Sequence, residues 1–262
     1  MGREAYGSLT HNEAPFDHTS FGPIKRLEGV RVSQRPNAAP PEIKNMVMPI
    51  TEHQRVKAAL DAAPRPIVAF DFDGTLTIKD SYLAFLRWRA GSIGYALGVV
   101  RLIPRLLAYL FDSDRGRLKA AATRVFLSGT LQADLERDAQ RFADMSAAKL
   151  LRPDALATWR GHVEAGDLVV IVTASPEDVV APFARQLGAE LLIGTRLELD
   201  PKNRITGRFV GENCRAEEKV ARLRAAFGEG VAVAAAYGDT SGDEAMLAFA
   251  AQGHMRVFAA KP

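Results

Sequence analysis

The sequence predicts an α/β fold, a doubly wound parallel sheet with a helical module inserted after its first strand. Three observations predict it. Five short apolar runs recur along the chain, helical stretches separate most of them, and a long helical gap follows the first run. Continuous apolar runs suit strands buried on both faces, and strands alternating with helices imply right-handed crossovers within one sheet. With 262 residues, 47% of them hydrophobic and 25% charged, the chain is composed like a soluble globular protein.

Residues 1–50 hold six of the 14 prolines and few clustered apolar residues. Such a stretch buries too little to offset its ordering entropy and is predicted to be a disordered tail. Met46 and Met48 mark where a shorter natural chain would begin. Thr51 caps a short helix reaching Ala62, and Pro64 and Pro66 end it. The predicted strands are 66–70, 168–172, 190–193, 231–236 and 255–258, with helices near 153–165, 177–187, 216–228 and 242–251. Residues 81–150 then form a helical cap, and 51–80 with 151–262 form the core. Leu197-Glu198-Leu199 and Ile205–Phe209 read as a hairpin closed around Pro201-Lys202-Asn203.

Lys and Arg number 34 against 31 Asp and Glu, a net charge of +3. This is not a polycation, and no nucleic-acid partner is expected. The single cysteine, Cys214, excludes an intrachain disulfide and a Cys-rich zinc site and reads as a small buried hydrophobe. With no apolar signal-peptide core in the first 30 residues, a reducing cytoplasm is the expected compartment.

Four segments carry candidate chemistry. Asp71-Phe72-Asp73-Gly74-Thr75-Leu76-Thr77 follows the first strand, where open α/β sheets bind ligands. Asp71 and Asp73 can face one site, and Gly74 lets the backbone turn and offer N–H groups to an anion; turn propensity alone would also place Asp and Gly there. Thr173-Ala174-Ser175 follows the second strand. Thr173 is the better hydroxyl for a phosphate oxygen, while Ser175 is either a ligand or the cap of the helix starting near Pro176. Lys219 either neutralises phosphate charge or is an ordinary solvated helical lysine. Gly238-Asp239-Thr240-Ser241-Gly242-Asp243 follows the fourth strand. Several carboxylates at one sheet edge repel unless a cation sits among them, and oxygen ligands beside phosphate indicate Mg²⁺; Asp243 alone would equally complement a helix dipole.

In this order and placement, the four segments resemble the haloacid dehalogenase superfamily of phosphohydrolases over about residues 64–260. The resemblance implies a five-stranded Rossmann-like core, with Mg²⁺ held by Asp71, Asp239, the Asp73 carbonyl and the fourth-motif Asp243. It implies Asp71 as nucleophile and Asp73 as acid and base. Backbone amides near Phe72 and Gly74, with Thr173, Ala174 and Lys219, would hold phosphate. An acid at Asp73 favours a phosphatase over members that cleave carbon–halogen bonds or hydrolyse ATP. A catalytically silent binding module on the same fold is the alternative of another class, and the intact motif set argues against it.

The cap placement resembles the phosphoserine phosphatase branch, subfamily IB, and so does Gly211-Glu212-Asn213-Cys214 to Lys219. Thr-Ala-Ser-Pro replaces that group's usual Ser-Gly-Gly, which weakens a phosphoserine assignment. Asp80 either binds a substrate amine, as a similarly placed acid does there, or caps the helix starting at Ser81. Residues 92–111 are apolar around most of a helix except Arg101 and Arg105. The stretch is long enough to span a bilayer, but two central arginines cost roughly 2.5–3.5 kcal/mol each, which disfavours spanning. Two readings stand: a cap helix packed on the core with both arginines facing the site, or an interfacial helix. In the second, Arg87, Arg89, Arg101 and Arg105 meet anionic head groups at the inner membrane face. The Leu-Ile-Pro-Arg-Leu-Leu segment resembles bacterial phosphatidylglycerophosphatases of the C type. The expected substrate is therefore a phospholipid head-group phosphate or a soluble phosphorylated metabolite.

Overall fold

The computed structural model describes residues 64–112 and 115–262; the tail, the helix expected at 51–62 and the alternative starts at Met46 and Met48 lie outside them. Strand β1 (Ile67–Phe70) is buried along its whole length. Strand alternation sends Val68 and Phe70 into one core and Ile67 and Ala69 into another, so apolar residues are needed on both faces. The cap follows as α1 (Ser81–Asp112), α2 (Arg115–Leu127) and α3 (Gln132–Leu150). The chain then returns through α4 (Pro153–Glu164), β2 (Leu168–Pro176), α5 (Glu177–Leu187) and β3 (Leu191–Thr195). The antiparallel hairpin β4 (Leu197–Leu199) and β5 (Ile205–Phe209) comes next. Last are α6 (Glu217–Phe227), β6 (Val233–Gly238), α7 (Glu244–Phe249) and β7 (Gln252–Met255).

The five-stranded sheet has the order β3-β2-β1-β6-β7, with every pair parallel. β1 is central, between β2 and β6, so the loops at their carboxyl ends meet at the middle of one sheet edge. Several boundaries differ from expectation. β2 continues through Thr173-Ala174-Ser175, making these strand residues. β6 starts at Val233. The fifth strand is Gln252–Met255, not 255–258; it lies at the sheet edge with three of its four residues exposed, so it needs no apolar run.

The core joins sheet, flanking helices and cap. The Phe70 ring stacks on Tyr237 at 4.4 Å and lies 5.1 Å from Trp159, whose Nε1 donates to the Leu187 carbonyl at 3.0 Å. Truncating a buried aromatic of this kind to Ala costs about 3–5 kcal/mol. The cap is fastened by Phe142 of α3, which packs on Phe85 of α1 and Phe183 of α5. Gly91, with φ 66° and ψ 172°, divides α1 into two helices in series, a conformation open to glycine.

Candidate active site

Asp71 leaves β1 with its N–H bonded to the Tyr237 carbonyl of β6 at 2.9 Å, which fixes it at the sheet edge. The next residues make one wide turn closed by Thr77, whose N–H donates to the Phe72 carbonyl at 3.0 Å. Gly74 has φ 87°, and a Cβ there would lie 2.1 Å from Asp239 Oδ2. Only glycine lets the β6 carboxylate approach this turn. The Gly74 N–H, expected to face an anion, donates to Thr77 Oγ1 at 3.2 Å. The Phe72 side chain is buried 5.4 Å from Phe183, so the site has access to its backbone alone.

Lys219 is not a solvated lysine. Its side chain is 1% exposed, and Nζ donates to Asp71 Oδ1 at 2.6 Å, Asp243 Oδ1 at 2.6 Å and the Val172 carbonyl at 2.7 Å. Asp243 Oδ2 accepts from the N–H groups of Asp239 and Thr240 and from Thr240 Oγ1. Asp243 thus supports the β6 loop with one oxygen and the lysine with the other.

One ammonium faces too much negative charge here. Burial pushes Asp71 up to about 7, against the pull of Lys219. Burial and the neighbouring Asp243 also raise Asp239. Burial acts upward on Asp243 too, but Lys219 and the loop N–H groups outweigh it and hold Asp243 below its ordinary value. On Lys219, burial acts downward and is outweighed by Asp71 and Asp243, which raise it.

The residues present fit Mg²⁺. Oxygens of Asp71, Asp239 and Asp243 lie within 4.8 Å of one another. Asp239 Oδ1 is buried without a hydrogen-bond partner, and a hard divalent cation is the partner such a set accepts. Asp243 Oδ1 is held by Lys219 and its Oδ2 accepts three donors, whereas Asp71 Oδ2 accepts only the Thr75 hydroxyl at 3.2 Å and Asp239 Oδ1 accepts none, so Asp71 and Asp239 are the side chains with an oxygen to give; the Asp73 carbonyl is the third expected ligand.

Asp73 Oδ1 accepts the Ser81 N–H at 2.6 Å, and Oδ2 accepts from Ser175 Oγ. Ser175 therefore does not cap α5, whose N-cap is Pro176; it holds Asp73. Lys119 of α2 donates to the same Ser175 oxygen at 3.0 Å and lies 3.9 Å from Asp80. Asp80 does cap α1, accepting the Leu83 N–H at 2.8 Å, and borders the cavity as well. Burial and Asp73 raise its pKa, with Lys119 opposing. Thr173 is fully buried, and its Oγ1 accepts the Ser175 N–H at 3.1 Å. Cys214 is buried as expected, which pushes its thiol up to about 11.

These groups floor a cavity of about 510 Å³. Asp71, Asp73, Thr173, Ala174, Lys219 and Asp243 border its base, while Tyr82, Tyr95, Val99, Leu102, Leu106 and Tyr109 of α1 form an apolar wall. Arg101 and Arg105 do not border it; Arg101 points to solvent and Arg105 is half-buried. Helical phase explains this, because Tyr95, Val99, Leu102 and Leu106 occupy the inward face and the arginines fall beside it. Arg89 pairs with Asp138 at 3.0 Å inside the cap. Sequence reasoning missed Lys119 and Arg215, both at the cavity, because nothing local marks which basic residue turns inward.

The family model for haloacid dehalogenase-like hydrolases matches residues 68–248. The chain belongs to this family. It is 59% identical over 196 residues to Protein CicA of Caulobacter vibrioides, covering 75% of this chain and 88% of that protein. It is 28% identical over 226 residues to a Mycobacterium tuberculosis protein named phosphoserine phosphatase SerB1, covering 79% and 71%. A crystal structure of a Bordetella pertussis protein of unknown function superposes with a TM-score of 0.60 at 28% identity, covering 70% of this chain and 86% of that one. The match spans β1 to α7, and the four segments read in the sequence meet in the structure as one haloacid dehalogenase-like site.

Proposed function

We propose that this haloacid dehalogenase-like hydrolase is an Mg²⁺-dependent phosphomonoester phosphatase that takes substrates with an apolar leaving group. A phospholipid head-group phosphate such as phosphatidylglycerophosphate is the favoured class. The observation that carries the phosphatase reading is Asp71, buried beside Lys219 at the sheet edge with Asp73 two residues on and a cavity above both.

In the first step an Asp71 carboxylate oxygen attacks phosphorus, and the bond to the leaving oxygen breaks. Asp73 gives that oxygen a proton. In the second step Asp73 takes a proton from water, which attacks the aspartyl phosphate and releases inorganic phosphate and Asp71. Lys219 holds Asp71 in place and opposes the charge that gathers on the phosphoryl oxygens. Thr173 and Ala174 border that position. Mg²⁺, when bound by Asp71, Asp239 and the Asp73 carbonyl, supplies charge neutralisation between carboxylate and phosphate.

The apolar wall supports the substrate class. A small zwitterion such as phosphoserine would leave Tyr95, Leu102, Leu106 and Tyr109 uncovered, whereas a glycerolipid would dry them. Asp80 and Lys119 favour a second reading, a soluble metabolite carrying an amine and a carboxylate, since opposite charges border the same cavity. The test is phosphate release from an aryl phosphate, phosphoserine and a phospholipid monophosphate in mixed micelles, with and without Mg²⁺. Wild type should hydrolyse the aryl phosphate, and Asp71→Asn should lose more than about a hundredfold of turnover with its fold intact. A variant that keeps more refutes the nucleophile. A preference for phosphoserine over the lipid moves the assignment to the second reading.

A further inference from the structure

We propose that the outer face of the second half of α1 docks on an anionic lipid bilayer, with the helix lying flat on the surface. This goes beyond the phosphatase reading and does not rest on it, because an enzyme for soluble substrates can sit on a membrane equally well.

After the break at Gly91, Ile93, Leu97, Val100, Ile103, Leu107 and Leu110 are 79%, 54%, 60%, 46%, 56% and 74% exposed. Spacings of three and four residues put them on one face of the helix. A monomer rarely leaves so continuous an apolar stripe in water without a use for it. The helix is also long and apolar enough to cross a bilayer by length and composition.

The opposite face decides between crossing and lying flat. Tyr95 stacks on Phe126 of α2 at 5.4 Å, and a Cβ on Gly98 would lie 2.2 Å from the same ring, so the two helices are in close contact. Tyr95, Val99, Leu102 and Leu106 wall the cavity. Insertion across a membrane would dismantle that wall, whereas docking by the outer face leaves it in place.

Charge selects the occupant. Across the cap, residues 81–150, the sequence has eleven Lys and Arg against six Asp and Glu, a net of +5 in a chain whose total is +3. Arg101 is exposed on a flank of the apolar stripe. In a two-fold dimer through this face, each basic cap would meet its own like charge. An anionic bilayer offers an apolar interior for the stripe and negative head groups for the flanking cations.

The test uses the full chain and sedimentation with vesicles of equal parts phosphatidylglycerol and phosphatidylcholine, against phosphatidylcholine alone. Wild type should pellet with the anionic vesicles at low salt and be released by high salt. Leu97→Ser/Leu107→Ser, at exposed positions away from the cavity, should bind about tenfold more weakly or worse. Its hydrolysis of an aryl phosphate should match wild type, which also reports an intact fold. Wild type that stays in solution with anionic vesicles at low salt overturns the proposal, as does a double variant that binds like wild type. Self-association lost in the double variant, without vesicle binding, overturns it too and gives the face to a second copy of the chain. None of these results alters the aryl-phosphate assay, so docking and phosphatase activity fail separately.

Discussion

Replacing Lys219 by Met removes one charge and little volume, so it isolates the electrostatic work of the lysine. Nζ sits 2.6 Å from both Asp71 and Asp243, with all three side chains at most 8% exposed. The substitution leaves two buried carboxylates facing each other and the Val172 carbonyl without its donor. Removing one member of a buried ion pair costs about 3–5 kcal/mol. For a domain of this size that corresponds to a fall in Tm of roughly 6–20 °C. Asp71, already raised to about 7, rises further without the lysine, so the nucleophile carries a proton at neutral pH and turnover falls by at least about a hundredfold. Differential scanning fluorimetry and aryl phosphate hydrolysis measure the two effects. Mg²⁺ should raise the Tm of Lys219→Met more than that of wild type, because the cation becomes the main counter-charge. Lys219→Met/Asp243→Asn should regain stability but not activity. A Lys219→Met protein within about 2 °C of wild-type Tm would refute the reasoning, since such a loss is below one kcal/mol.

Further outcomes follow from the same geometry. Gly74→Ala puts a Cβ 2.1 Å from Asp239 Oδ2, so that carboxylate must retreat by close to an ångström; kcat/KM should fall about a hundredfold and the Mg²⁺ requirement should rise, read by metal titration of the rate. Asp71 must lose its proton to bind a cation, so Mg²⁺ affinity by calorimetry should weaken as pH falls below about 7, with proton release on binding. Because its folded value lies above the ordinary 3.8, the metal-free protein should lose stability as pH rises from about 4 to about 7, and Mg²⁺ should reverse that loss; a flat metal-free Tm across this window would contradict the burial of Asp71. Lys119→Met removes a cap donor from Ser175 and should lower kcat/KM roughly tenfold with a stability change of about 1 kcal/mol or less, measured by initial rates and thermal melting.

The sequence by itself determined the alternation of strand and helix, the inserted cap and the residues at the ends of β1, β2 and β6. Apolar runs of strand length, Gly-flanked aspartates and helical periods are local, and local physics is enough to read them. The edge strand β7 escaped because a strand exposed along most of its length has no burial pattern to read. Other decisions belonged to the tertiary structure alone. Lys219 lies 148 residues from Asp71, and only the crossover of α6 over the sheet turns an ordinary helical lysine into a buried counter-ion. Ser175 became a partner of Asp73, 102 residues away, because β2 runs four residues past its apolar stretch. Helical phase, fixed by the packing of α1 on α2, put Tyr95 and Leu102 at the cavity and left Arg101 in solvent. Which face of a helix meets a partner is set by side chains distant in sequence, and a periodic pattern of apolar residues does not carry that information.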